Sequence, residues 1–289
     1  MADYRITTSL NRFYLRVVRT CQGILRLILP QKIYWKIFST LLDKLDLNYP
    51  VTVNNKKIYF YCPSHIALFR AETLLTKEPH TIKWIEGFQS GDVLLDIGAN
   101  IGTYTIYAAA CCGIRVIAIE PSSDNFSCLC RNIRENGVGD LVYPFCVAGN
   151  DREEVTTLHI YPHGTHAGGS GVIFSTEKLS DDSVVKVHDT AYSLGLSIDF
   201  LLDAFDLPFP THIKMDVIGT QAKIIKGAHK LLHDPRLRSA MLEIPTRDPG
   251  YGMEQQEDYN YIVNQVKQAG LTLMPGGEGP DYLFERIDT

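Results

Sequence analysis

The sequence predicts a doubly wound α/β fold, and three observations carry that prediction. From Asp92 onward, short apolar runs alternate with stretches of helical periodicity. The runs VLLDI, VIAI and SAMLEI are apolar almost throughout, as strands are when a mostly parallel sheet is covered on both faces. The first run also ends in an acid and passes directly into GANIG, as a strand does when its turn lets a ligand approach bare backbone.

Residues 1–50 form a helical extension. Phe13, Val17, Cys21, Ile24, Leu25 and Ile28 recur at helical spacing, while Arg12, Arg16, Arg19 and Arg26 fall mostly on other faces. Pro30 interrupts, and Trp35, Phe38, Leu41, Leu42 and Leu45 line one side of a second helix. Packing on the main domain or a dimer contact is the preferred reading of these basic helices. The alternative is that residues 10–45 lie on an anionic membrane surface. The main domain, 51–289, opens with a lead-in, 51–91. In it VTVNNKKIYFYC reads as a β-hairpin, because Asn54-Asn55 supplies the positive φ angles of a tight turn. A helical segment through Leu68, Leu74 and Leu75 follows, and Glu78-Pro79 starts another helix that runs to Phe88.

The core, 92–289, is expected to hold strands at Val93–Ile97, Arg115–Ile119 and Leu141–Val147, with helices at Thr103–Cys112 and Asp124–Asn136 between them. VTTLHIY reads as an antiparallel insertion leading to the glycine-rich HGTHAGGSG. Beyond it come a strand near Val184–Val187, a helix over Ile198–Phe205, a strand over Ile213–Val217 and a helix over Gly219–Leu232. Ser239–Ile244 is a strand and Glu257–Ala269 the last helix, before the strands LTLM and DYLFERI.

Composition narrows the function classes. With 289 residues and 45% apolar content the chain builds a sizeable core, and a net charge of −5 argues against a general nucleic-acid binder. The positive charge concentrates in the first fifty residues, leaving an acidic remainder. The seven cysteines make no CxxC pair and read as free thiols in a reducing cytoplasm. Cys128 and Cys130 would point away from each other on a helix, with poor spacing for zinc. No apolar run approaches the ~20 residues needed to span a bilayer, and Met1–Leu29 lacks the pattern of a signal peptide. The expected location is cytoplasmic, with any membrane contact peripheral.

The turn after the first core strand points to the ligand. A nicotinamide fingerprint starting at Gly98 would need glycines where Asn100 and Thr103 stand, which disfavours a dehydrogenase. Asp96, Gly98, Ala99, Asn100 and Gly102 instead resemble motif I of class I methyltransferases. There the small residues let S-adenosylmethionine lie against backbone, and the acid helps hold its amino-acid end. A carboxylate suits a ligand that carries an ammonium and a sulfonium but no pyrophosphate. Glu120, ending VIAIEP, stands at the interval from which an acid reaches two ribose hydroxyls. In the same reading Pro121 and Ser122 border the adenine, and Val147 and Ala148 form its other wall.

GANIGTYTIYAA, IEPSSDNFSCLCRNI, CVAGND, the HAGGSG loop and HIKMDVIGTQAKIIKGA, in this order and with the KEPHTIKWI lead-in, resemble the FkbM family of S-adenosylmethionine-dependent methyltransferases. The likeness runs from about Val51 to about Ile244. It implies a seven-stranded Rossmann-like sheet with an antiparallel last strand, and methyl transfer to an oxygen of a small-molecule or glycan acceptor such as a sugar or natural-product scaffold. Lys214, Asp216 and Gly219 match the family pattern after the fourth strand, whereas Ile218 and Gln221 replace its two later acids. That departure raises an alternative: a degenerate member that binds S-adenosylmethionine or its product as a scaffold.

An alcohol acceptor needs its proton removed or its oxygen polarised as the new bond forms. Asp216, at the end of the fourth strand, is the candidate for that role. Lys214 shares its face as a partner, and His166 in the glycine-rich loop is a second candidate base. Glu243, His188 and His212 rank lower. No metal is expected, because His163 and His166 lack a third ligand. TRDPGYGM, Thr246–Met253, reads as a substrate-side loop or an ordinary connection. Association into oligomers is left open.

Overall fold

The computed structural model describes residues 2–160, 172–174, 189–244, 253–275 and 281–287. The chain divides into two compact units, one ending at Leu47 and the other beginning at Asn48. In the first, helices α1 (Ala2–Ile28) and α2 (Gln31–Lys44) are separated by Pro30, whose extended ψ of 135° breaks the helical path. Phe13, Val17, Ile24, Leu25, Ile28, Trp35, Leu41 and Leu42 remain exposed. Among the described residues no helix is long and apolar enough to cross a membrane.

The second unit opens with the expected hairpin, β1 (Asn48–Val53) against β2 (Lys56–Tyr61), turned by Asn54 and Asn55 at φ 45° and 67°. Helices α3 (His65–Glu72) and α4 (Pro79–Glu86) complete the lead-in. The central sheet contains β3 (Val93–Ile97), β4 (Arg115–Ile119), β5 (Val142–Phe145), β10 (His212–Met215), β11 (Ser239–Glu243), β12 (Thr272–Leu273) and β13 (Asp281–Glu285). Its order is β12-β13-β11-β10-β3-β4-β5, all parallel except β13. This is a mostly parallel, seven-stranded Rossmann-like sheet. The order reverses beside β3, so ligand space opens over the carboxyl ends of β3, β4 and β10. A second sheet joins β6 (Ala148–Asn150), β7 (Glu154–Ile160), β8 (Val172–Phe174) and β9 (Asp189–Ser197).

Alternation along each strand builds two cores. Leu95, Ile97, Ile117, Ile213 and Leu242 face α7 (Ile198–Ala204), α8 (Gln221–Gly227), α9 (His229–His233) and α10 (Met253–Gln268), while Leu94, Val116, Ala118 and Met241 face the lead-in and the helices after β3 and β4. Asp96 and Lys214 fall on the second face, directed toward α4 and α5 (Thr103–Ile106) rather than into apolar packing. On the same side α6 (Ser123–Glu135) meets the hairpin. Its Asn132 accepts from the Tyr61 amide at 2.7 Å and donates to the Ile101 carbonyl at 2.7 Å, and Asn136 just past it exchanges two bonds with the backbone of Tyr59.

Four elements depart from expectation. The helix over Thr103–Cys112 is α-helical only to Ile106 and widens to a π-turn over Tyr107–Cys111, whose Ala110 carbonyl is taken by the Lys56 ammonium. The helix over Gly219–Leu232 is two helices, because Asp199 accepts from the amides of Lys230 and Leu231 (2.7 and 3.0 Å) and so caps a fresh helix start. The third core strand ends at Phe145 instead of Val147, and Ala148 opens the second sheet. Strand β9 lies just beyond the expected strand at Val184–Val187, which is outside the described residues.

Candidate active site

The turn after β3 lies backbone-first against two strand ends. The amides of Gly98 and Ala99 both donate to the Ile119 carbonyl at the end of β4, and the amide of Asp216 donates to Ile97. Gly98 has φ +84°, and a Cβ there would sit 2.1 Å from the Asp216 carbonyl oxygen, so only glycine fits. Gly102, also at φ +84°, lies as close to Leu129 of α6, where a Cβ would meet the side chain at 2.4 Å. These contacts bring Asp96, the Gly98–Gly102 turn, Glu120 and Asp216 to one end of the sheet.

Glu120 is buried, and both its oxygens are engaged by the loops around it. Oε2 accepts from the Asn100 amide at 2.8 Å; Oε1 accepts from the Ser122 amide at 2.9 Å and, at 3.4 Å, from the Asn125 side chain. Burial pushes its pKa up to about 7 against the opposing pull of those donors. A carboxylate has about four acceptor positions, so capacity remains for a ribose hydroxyl. Asp96 Oδ2 accepts from Thr105 at 2.6 Å, whereas Oδ1 is buried with no hydrogen-bond partner. An orphaned, fully buried carboxylate oxygen beside a glycine turn calls for a donor that carries positive charge. The ammonium of S-adenosylmethionine meets that need, and the residue set fits this group. Pro121 is half-buried and Ser122 buried at the start of α6; Val147 is half-buried, but the Ala148 side chain is wholly enclosed.

Beyond β10 the chemistry is acidic. Lys214 Nζ lies 3.3 Å from Asp216 Oδ2 and 4.7 Å from the centre of the Tyr104 ring. It is the only buried lysine or arginine among the described residues. Burial works to lower its pKa, but the carboxylates of Asp216, Asp96, Glu78 and Asp281 outweigh burial and raise it. Asp216 is likewise opposed by burial, yet Lys214 and a hydrogen bond from Glu243 hold it well below the usual carboxylate range. Glu243, at the end of β11, is driven up to about 9 by burial and by Asp216 beside it, so it carries a proton at neutral pH. Burial also raises Asp96 and Asp281.

Several participants were not legible beforehand. Glu78 is buried at the cap of α4, with Lys77 at 2.7 Å, and burial together with Glu78 pushes the pKa of the Tyr104 hydroxyl up; Asp281 opens β13 and meets His80 at 3.3 Å. Glu78 carried a sequence signal only as the residue before a helix-starting proline, and Asp281 carried none. Gln221 is buried with an unpartnered Oε1, and Ile218 is 45% exposed. His163, His166, the rest of the glycine-rich loop, His188 and residues 246–252 lie outside the described residues. His212 is a correction. It begins β10, at the opposite end from Asp216, where it bonds Asp92 at 3.0 Å and Ser239 at 2.7 Å beside a cavity of about 500 Å³. Among the described residues no group of three or more histidine, cysteine or acidic side chains could hold a metal ion.

Comparison with known proteins identifies the family. Hexuronic acid methyltransferase AglP of Haloferax volcanii is 27% identical over 148 residues, 50% of this chain and 52% of AglP, so the chain spans about half the length of the curated relative it matches. Among solved structures, methyltransferase FkbM of Methylobacillus flagellatus is 17% identical with a TM-score of 0.44, over 76% of this chain and 52% of that one. Aeropyrum pernix fibrillarin, solved with bound S-adenosylmethionine, is 12% identical with a TM-score of 0.45, over 86% of each chain. The family model for the methyltransferase FkbM domain matches residues 96–262, from the acid of the first turn into α10. The chain therefore belongs to the FkbM methyltransferase family.

Proposed function

We propose that the chain transfers a methyl group from S-adenosylmethionine to a hydroxyl oxygen of a sugar, glycolipid or natural product. The observation that carries this reading is the position of Asp216, whose backbone touches the cofactor turn at Gly98 while its side chain pairs with Lys214 and Glu243. When bound, the cofactor supplies an electrophilic methyl on a sulfonium. The acceptor oxygen would gain the carbon as the carbon–sulfur bond breaks with its electron pair kept by sulfur, and the hydroxyl proton would pass to a base.

Asp216, held ionised, is a weak base with a strong preference for accepting hydrogen bonds. Its role is to orient the hydroxyl along the line of attack and to take the proton as the oxygen becomes cationic. Lys214 fixes that carboxylate from below, and protonated Glu243 offers a donor beside it. Glu120 holds the ribose, and Asp96 faces the ammonium. The sugar specificity of AglP supports a glycan acceptor. Residues 10–45 are proposed to meet a second copy or a membrane surface through their exposed apolar side chains.

The test is incubation of the full chain with methyl-labelled S-adenosylmethionine and a glycan and lipid-linked sugar extract. Label should enter an acceptor, and Asp216→Asn should lower kcat by about 10²–10⁴-fold while cofactor binding persists. Cofactor binding with no transfer by the wild type would favour the scaffold reading suggested by Ile218 and Gln221.

A further inference from the structure

The acceptor end of the site has an unusual charge balance. Glu78, Asp96, Asp216, Glu243 and Asp281 all interact with the ammonium of Lys214, the one buried lysine among the described residues. Other positive charge comes from the edges: Lys77 on Glu78 with its side chain half-exposed, and Arg70 acting on Asp216 from a distance, while His80 lies 3.3 Å from Asp281. Burial and the adjacent Asp216 both favour the protonated form of Glu243, which leaves Asp216 paired with Lys214. Asp96 Oδ1, beside the turn after β3, is also left without a donor. A bound cofactor brings cationic charge to Asp96 at the turn after β3. The groups left for the acceptor, at the ends of β10 and β11 and the start of β13, are the carboxyls of Asp216, Glu243 and Asp281.

Building on the methyl-transfer reading, we propose that this site selects an uncharged hydroxyl-bearing saccharide and rejects one with an anionic group beside the reacting hydroxyl, in contrast to the hexuronate named for AglP. Hydroxyl groups suit this lining. Each can donate to Asp216, whose carboxylate keeps acceptor positions beyond those taken by Lys214 and by the proton of Glu243. A carboxylate brings no proton to donate, and it would enter beside Asp216 and Asp281 with Lys214 already committed. About 5 Å from one unbalanced negative charge, at an effective dielectric of about 20, it is disfavoured by about a hundredfold before salt screening.

The experiment uses the full chain, labelled S-adenosylmethionine and oligosaccharides in matched triplets: a neutral hexoside, its uronate, and the methyl ester of that uronate. The expected result is a kcat/KM at least tenfold higher for the hexoside than for the uronate, with the ester restored toward the hexoside and the gap narrowing in high salt. The ester separates charge from shape. Methylation of the uronate at a rate equal to or above that of the hexoside overturns this inference while leaving methyl transfer intact. An ester as poor as the uronate overturns it as well, since shape would then be the discriminator. Cofactor binding with no transfer to any triplet or to the extract overturns the methyl-transfer reading, and this inference falls with it.

Discussion

The Glu120→Gln variant tests the cofactor site most directly. In the wild type each oxygen of Glu120 accepts from a backbone amide, Asn100 on one side and Ser122 on the other. A glutamine replaces one of those oxygens with an NH₂, which then faces a donor. One loop bond is lost, and so is one charge-assisted bond to a ribose hydroxyl. A hydrogen bond to a charged group contributes about 1.5–3 kcal/mol, so affinity for S-adenosylhomocysteine should fall by about 10- to 150-fold. The raised pKa supplies a second signature. With a pKa of about 7 the carboxylate is about one-tenth ionised at pH 6 and about nine-tenths at pH 8. If ribose binds the ionised form, wild-type affinity should rise about tenfold across that interval, and the variant should show no such rise. Titration calorimetry at pH 6, 7 and 8 reads both effects. Equal affinities for wild type and variant at pH 8 would refute the assignment of Glu120 to the cofactor.

Two further predictions concern the framework. Asn132→Ala leaves the Tyr61 amide and the Ile101 carbonyl without partners, at about 1–3 kcal/mol for each group that stays buried, and chemical denaturation should show a loss of at least 2 kcal/mol. The ligand-free protein should also lose thermal stability as pH rises from 6 to 9. Glu243 and Glu120 have folded pKa values near 9 and 7, above the ordinary 4.5, so their stabilising contribution is complete below that value and drains away as pH climbs through 7 and then 9. Asp216 and Glu78, shifted the other way, contribute fully throughout that interval and lose their contribution only in acid, as they take up protons. Melting curves check this, and Glu243→Gln should flatten the upper part of the slope.

What the sequence disclosed depended on how local the signal was. The turn from Asp96 to Gly102 was readable because a strand end, two positive-φ glycines and an acid sit within seven residues, and Glu120 follows one βαβ unit later. The bounds of β3 and β4 were readable for the same reason: continuous apolar runs end sharply at polar residues. Glu78 and Asp281 were not, since 203 positions separate them and only the antiparallel insertion of β13 beside β11 brings their charges to Lys214. The division between α8 and α9 was hidden likewise, because the carboxylate that starts α9 is Asp199, about thirty residues earlier. Local pattern located the glycine turn after β3, whereas the charge environment around Lys214 is a property of the assembled sheet.

The asparagines of α6 carry a last consequence. Four residues of α-helix advance about 6.0 Å, and two residues of strand advance about 6.8 Å. That near match lets side chains at 132 and 136, one turn apart, dock on Tyr59 and Tyr61, whose outward backbone groups alternate with those paired to β1. The helix thus stands in for a third strand, built from amides of side chains instead of main chain. A free margin of a two-stranded ribbon is a template for a foreign strand. Here that margin is closed by a partner that cannot itself be extended, so the hairpin ends the assembly where an exposed strand would invite more.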